Sequence, residues 1–138
     1  MTELTRFSIA IDGSLFRRFE AARKKAGYRN RSEYLRDIIR DRLVRDDWEE
    51  NREAVGTITL VYDHHQRELS RKLTAVQHDH PAHVLAATHV HLDHDHCVEA
   101  ILVRGRARQI RDLADSLGQQ RGVLHSSLSL GTVGADLT

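Results

Sequence analysis

Residues 76–97 read VQHDHPAHVLAATHVHLDHDHC, and this stretch holds seven of the chain's ten histidines together with its only cysteine. A solvated surface gains little from so many imidazoles, because histidine is useful chiefly where something binds or a charge switches. Residues 84–92 form an apolar frame that reads as a strand, and His89 and His91, two apart, project from the same face of it. The polar run 92–96 turns the chain, and Cys97 then leads into a second apolar stretch, 98–103, on the neighbouring strand. Imidazole nitrogen with thiolate sulfur is the donor set of borderline ions such as nickel, copper or zinc, not of magnesium or calcium. One histidine on an apolar strand is ordinarily a satisfied core residue; the pair with a cysteine six residues on makes a metal site. His80, His83, His94 and His96 read as loop residues or as support for the ligands. His64 and His65 read as the start of a helix and a minor site.

Working outward, residues 55–62 are β-rich, and 64–77 carry Leu69, Leu73 and Val76 at helical spacing. Residues 84–92 and 98–103 are the two strands around the turn. Residues 107–120 are helical with Ile110, Leu113, Ala114 and Leu117 inward, and 123–130 are a last strand. The order βαββαβ predicts an α+β fold of the split-βαβ, ferredoxin-like kind, called an ACT domain when it occurs in metabolic regulators. Ahead of it lies DDWEENRE, residues 46–53, a charged run with no apolar period that reads as a solvated helix end and hinge. The expected organisation is therefore an amino-terminal domain at 1–47, a linker at 48–54 and a metal-binding domain at 55–138.

The formal net charge of +1 hides an uneven distribution. Residues 4–45 carry twelve Lys/Arg against five Asp/Glu, whereas 51–138 carry nine against ten and all ten histidines. The first part suits a polyanion and the second a metal. Within the first part, RFSIAID (residues 6–12) alternates, with Phe7, Ile9 and Ile11 on one side and Arg6, Ser8 and Ala10 on the other. Ser14 is the expected N-cap of a helix that runs to Ala26 with Leu15, Phe19 and Ala22 inward and stops at Gly27. A second helix begins around Asn30 to Ser32, with Leu35, Ile38, Ile39 and Leu43 at helical spacing. One strand and two short helices cannot close a core alone, so the expected state is a dimer in which the strand pairs with its own copy. A two-stranded ribbon of that kind fits the major groove of DNA. The layout, with GYRNRSEYLRDIIRDRL across the second turn and helix, closely resembles ribbon-helix-helix repressors. Arg6, Ser8 and Ala10 would then face the bases, Ala10 through apolar contact such as a thymine methyl. Asn30, Arg31 and Ser32 at the opening of the second helix would hold a phosphate.

The chain contains no apolar run of membrane-spanning length and no signal-peptide pattern at its amino end, which predicts a protein that is not exported. A single cysteine makes no internal disulfide, and a thiolate ligand persists in a reducing compartment, so the expected location is the cytoplasm.

Taken together, VQH followed by THVHLDHDHC in the second part and GYRNRSEYLRDIIR in the first resemble the NikR family of nickel-responsive transcriptional regulators, over about residues 4–131. What that resemblance implies is a homotetramer, a dimer of dimers, that binds Ni2+ through three imidazoles and one thiolate in a planar square. On this sequence the ligands would be His89, His91 and Cys97 of one subunit and His78 of the partner subunit. The family's secondary cation site would correspond to Glu33 and Asp37. Nickel binding would raise affinity for a palindromic operator and repress genes that include nickel uptake. The helix leading to His78, with Arg67, Arg71 and Lys72, is the element best placed to respond. Other readings fit less of the chain. His89-Val90-His91-Leu92-Asp93-His94 spells the H-x-H-x-D-H of zinc hydrolases of the metallo-β-lactamase fold, but those enzymes are much longer, and beyond His96 in the same turn only His125 remains downstream here to complete a site. A ribbon-helix-helix autorepressor or antitoxin with a metal-buffering domain would bind DNA irrespective of nickel, and a plain nickel chaperone has no use for the first fifty residues.

Overall fold

The computed structural model describes residues 3–66 and 68–138, so Arg67 lies outside the described residues. Its elements are α1 (Gly13–Lys25), α2 (Arg31–Glu49), β1 (Glu53–Asp63), α3 (Leu69–Asp79), β2 (His83–His91), β3 (His96–Arg106), α4 (Ala107–Gly118) and β4 (Val123–Leu130). From β1 onward the order is the expected βαββαβ. The chain divides into two compact units, Met1–Leu43 with Asp136–Thr138, and Val44–Ala135.

In the larger unit the strands form one antiparallel sheet in the order β2-β3-β1-β4. The period-2 pattern of β1 turns Ala54, Gly56, Ile58, Leu60 and Tyr62 inward. Ile101 and Val103 of β3 meet that face, and Leu69 and Leu73 of α3 with Ile110, Leu113 and Leu117 of α4 close over it. Each of these large aliphatic side chains contributes about 1.5–3 kcal/mol through its burial. Gly56 permits the close approach: a Cβ there would sit 2.9 Å from Ile110 and 3.2 Å from the Trp48 ring. The amides that open α4 are satisfied by the connection between α2 and β1. Ala107 N–H donates to the Arg52 carbonyl at 3.0 Å, and Arg108 N–H to Asn51 Oδ1 at 2.9 Å.

Three expectations need correction here. The helix expected from His64 begins at Leu69 instead, because β1 runs on to Asp63 in register with β3 and residues 64–66 turn the chain. The charged run 46–53 is not a solvated hinge throughout: α2 continues to Glu49, and Trp48 is 2% exposed. The run lacks an apolar period because only Trp48 of it faces the core, where its indole Nε1–H donates to the Gly131 carbonyl at 2.9 Å. In the smaller unit the N-cap of α1 is Asp12, whose carboxylate accepts from Ser14 N–H at 2.8 Å and from the Ser14 hydroxyl. A carboxylate one turn before the first free amides reaches them better than Ser14, which stands inside the helix.

The turn between the helices follows the sequence, whereas the strand expected at 6–12 does not form in the single chain. Gly27 takes φ +84° and ends α1, with Gly27 N–H bonded to the Lys24 carbonyl and Tyr28 N–H to the Arg23 carbonyl, the Schellman pattern. Residues 3–12 form no strand within the single chain. Phe7, Ile9, Leu15, Ile38, Ile39 and Leu43 are all exposed, as the sequence requires of a unit whose strand has no partner in its own chain.

Trp48 generates a stability prediction. Trp48→Ala removes a fully enclosed ring and its hydrogen bond, and should lower unfolding stability by about 3–5 kcal/mol. Urea melts followed by circular dichroism are the measurement, and a loss below about 1 kcal/mol would return this residue to the linker.

Candidate metal centre and candidate nucleic-acid face

The sheet register brings together the side chains that could hold a metal. Tyr62 on β1 pairs with Cys97 on β3, and Cys97 pairs with His91 on β2, so the three stand in one row across the sheet. Two residues along, Leu60, Glu99 and His89 form the next row on the same face. Between β2 and β3 the turn is tied by Asp93, which accepts from Asp95 N–H and His96 N–H, both at 2.8 Å. Asp93 also pairs with the His96 ring at 2.9 Å; that contact holds the Asp93 carboxyl down at about 2 and pushes the His96 imidazole up.

Cys97 is fully buried. Its Sγ lies 3.3 Å from His91 Nδ1 and 3.5 Å from His64 Nδ1. These three donor atoms lie within 4.8 Å of one another. His89 stands beside them, its ring centroid 5.3 Å from that of His91 and 5.9 Å from that of Tyr62. Burial pushes the Cys97 thiol pKa up, with the nearby Asp93 charge acting in the same direction. The Tyr62 hydroxyl is buried without a hydrogen-bond partner among the described residues, and burial raises its pKa to about 12. One soft sulfur among convergent imidazole nitrogens, with an unsatisfied polar atom alongside, fits a borderline divalent ion rather than a hard one.

Of the expected ligands, the structure brings His91 and Cys97 into contact and sets His89 next to them. His78, in the last turn of α3, belongs to neither donor group found among the described residues. His64, which the sequence reads as the start of a helix and a minor site with His65, stands instead beside His91 and Cys97. The signal that places it is the register, since Tyr62 opposite Cys97 brings the residue after β1 beside the thiol. A second group joins His65, His94 and Asp95, with His65 Nε2 2.9 Å from Asp95 Oδ1. Gln77 of α3 donates to Glu99 at 3.1 Å, tying the helix that carries His78 to the row that carries His89.

At the opening of α2, Asn30 Oδ1 accepts from Ser32 N–H at 2.7 Å and Glu33 N–H at 3.2 Å, so the amides expected to hold a phosphate are already capped by Asn30. Arg31 pairs with Glu20 at 2.7 Å. Arg6, Ser8 and Ala10 are exposed. Glu33 and Asp37 are each paired within α2, Glu33 with Arg36 at 2.7 Å and Asp37 with Arg40 at 2.8 Å. Asp37 also accepts from the Tyr28 hydroxyl, so its carboxylate already has a cation and a donor.

A ribbon-helix-helix unit joined to a metal-binding ferredoxin-like domain defines a metal-responsive regulator of transcription. The family models agree: residues 55–130 match the NikR C terminal nickel binding domain, and residues 5–46 match the ribbon-helix-helix protein, copG family. A protein of Solibacter usitatus, provisionally named a nickel-responsive regulator, is 48% identical over 138 residues, spanning 99% of each chain. A protein of Desulfotalea psychrophila with the same provisional name is 46% identical over 97% of this chain and 98% of its own. Among solved structures, the ACT domain from GTP pyrophosphokinase of Chlorobium tepidum superposes with a TM-score of 0.49 at 13% identity, covering 56% of this chain and 99% of that one. The chain belongs to the NikR family of nickel-responsive regulators. It is accordingly a nickel-responsive, DNA-binding repressor and not an enzyme, and its cofactor is Ni2+. Among the described residues no helix is long and apolar enough to cross a membrane.

A pH dependence follows from Glu20, whose carboxyl is held down at about 2 by hydrogen bonds from Arg31 and then Arg23. A depressed carboxyl stabilises the fold fully above the ordinary glutamate value of 4.5 and loses that stability as pH falls toward 2. Glu20→Gln should therefore flatten the acid limb of a stability-against-pH curve between those values. Urea melts across that range are the check, and an unchanged acid limb would show that the pairs add nothing to folding.

Proposed function

We propose that Ni2+ is held by His89, His91 and Cys97 of one chain together with His78 of the partner subunit, in a homotetramer built as a dimer of dimers. The observation that carries this reading is the contact of His91 with the buried Cys97 thiol, with His89 beside them on β2. β2 is exposed along almost its whole length, including Leu85 and Val90, so the side of the centre that faces it is open to another chain. The proposed pairing of residues 6–12 with a second copy likewise supports an assembly, because Phe7, Ile9 and Ile11 find no cover in their own chain. The protein is proposed to act in the cytoplasm on a palindromic operator, repressing genes that include nickel uptake.

When bound, nickel supplies a fixed link between donors on two subunits. The chain's own residues do the rest. Cys97 gives up its proton and the imidazoles stand neutral, so occupancy falls as pH drops. His64, 3.5 Å from Sγ, faces the same thiol within the single chain and would have to yield to the partner's imidazole. α3 carries His78 at one end and the exposed Arg71 and Lys72 on its surface. Fixing His78 fixes this helix, and a coupling between metal and DNA needs only that the ordered form bind DNA better. Arg6, Ser8 and Ala10 are the proposed base-facing side chains, with Asn30, Arg31 and Ser32 on the phosphates. Glu33 and Asp37 remain the proposed secondary cation site, and a cation there must displace Arg36 and Arg40.

Nickel titration separates the ligands. Wild type should take up about one ion per chain with a thiolate-to-nickel absorption band. Cys97→Ala should lose the band, whereas His64→Ala should keep band and stoichiometry. His78→Ala and His89→Ala should each bind poorly, and mixed tetramers of the two should regain part of the sites. A band that survives in Cys97→Ala, or mixed tetramers that regain nothing, would reject the shared centre.

On the DNA side, Arg6→Ala should cost about 1–3 kcal/mol of operator binding and leave nickel binding intact. Fluorescence anisotropy on the operator, with nickel present, reads the change. Operator affinity equal to wild type would take the ribbon off the recognition surface.

A further inference from the structure

At the junction of α1 and α2, Glu20 stands between two arginines of unequal exposure. Arg23 donates to it through Nε at 3.3 Å and Nη2 at 3.0 Å, and spends its Nη1 on the Tyr28 carbonyl at 2.6 Å. Arg31 donates through Nε at 2.7 Å and Nη2 at 3.3 Å. The Arg23 and Glu20 side chains are 12% and 17% exposed, whereas that of Arg31 is 62% exposed. The inner pair is thus anchored in the turn, and the outer arginine lies on the surface with its guanidinium 5.2 Å from the Phe16 ring centroid.

The edge of Arg31 that Glu20 occupies matters. Nε–H and one Nη2–H form the parallel fork that matches two oxygens of a carboxylate, and the same fork matches two oxygens of a phosphate diester. Both acceptors cannot use it at once. Glu20 is well suited to be the one that lets go, because its two bonds from Arg23 remain when Arg31 leaves. Its carboxyl therefore stays ionised, and the exchange requires no proton.

We propose that Glu20 is an internal stand-in for a DNA phosphate, holding the Arg31 fork in the free protein and lowering its affinity for DNA of any sequence until a backbone phosphate takes its place. This rests on the reading of Arg31 as a phosphate contact and adds to it the residue that sets how much that contact yields. Phosphate contacts carry no base information, so the attenuation applies equally to operator and to random sequence. It weakens binding to random sequence without touching the base-facing residues.

The test uses nickel-loaded full-length protein and a fluorescein-labelled random-sequence duplex, titrated at several sodium chloride concentrations. Wild type, Glu20→Gln, Arg31→Ala and the double variant are compared. Glu20→Gln should bind several-fold more tightly than wild type with the same salt slope, since the same phosphates are met. Arg31→Ala should bind more weakly and lose about 0.9 from the slope for the missing contact. The double variant should match Arg31→Ala, because Glu20 acts only through Arg31. Glu20→Gln binding no tighter than wild type, or a gain that persists without Arg31, overturns the proposal. If Arg31→Ala itself binds like wild type, the phosphate role of Arg31 falls and the proposal with it; if Arg31→Ala is weakened and Glu20→Gln is not strengthened, only the proposal falls.

A measurement on the unmodified protein guards against a folding defect in Glu20→Gln. The Arg31 Nε–H resonance, assigned by its absence in Arg31→Lys, should exchange slowly with water in the free protein and shift when the duplex is added. A freely exchanging Nε–H in the free protein would rule out the stand-in.

Discussion

The register of β1 against β3 is the constraint on which the rest of the larger unit depends. Eleven pairs run from Glu53 opposite Arg106 to Asp63 opposite His96. A slip of one residue would send every β3 side chain to the other face. Cys97 would then leave the core and its neighbours His91 and His64, and Ile101 and Val103 would leave α4. The same pairing ends β1 at Asp63, so the turn that follows delivers His64 to the thiol. The fold is held in register by its own interior. Ile58 sits opposite Ile101 and Gly56 opposite Val103, and the close packing of Ile110 and Trp48 on Gly56 leaves no room for a shifted side chain.

The smaller unit is governed by what it lacks. Its apolar residues recur correctly along α1 and α2, yet most stay open to solvent in one chain, while its helix starts and the turn between them are tied by polar contacts. Asp12 caps α1, Asn30 caps α2, and Glu20 joins the two helices through Arg23 and Arg31. Local hydrogen bonding therefore shapes the helices, and the burial that would stabilise them would have to come from the proposed association. The larger unit shows a milder version of this at β2, whose edge is open beside the metal-binding row.

Much of this was legible in the sequence because it is periodic or compositional. The order of elements from 53 onward, the last strand at 123–130, the inward positions of α4 and the concentration of ligands around His89, His91 and Cys97 all follow from spacing. The parts that were not legible depend on long-range geometry. Nothing local distinguishes residues 64–66 as a turn from the first turn of a helix, and only strand pairing decides it. Trp48 is the sole apolar side chain amid acids and arginines, so no period reveals that it points into a core 83 residues away at Gly131. Asp12 and Ser14 are both competent caps, and the choice rests on which backbone first turns helical. Pairing of Glu33 and Asp37 with arginines three residues on is visible as spacing, yet whether those pairs yield to a cation is not.

The burial of Cys97 has a chemical consequence for the lifetime of the sensor. Oxidants attack the thiolate, and their access sets the rate. A sulfur with no exposed surface and a pKa pushed upward is almost wholly protonated at neutral pH and shut off from peroxide. The chain has only this one sulfur of its kind, so no second cysteine could rescue it as a disulfide. The packing that positions the donor between His91 and His64 therefore also acts as its preservative, keeping an idle repressor chemically intact until metal arrives.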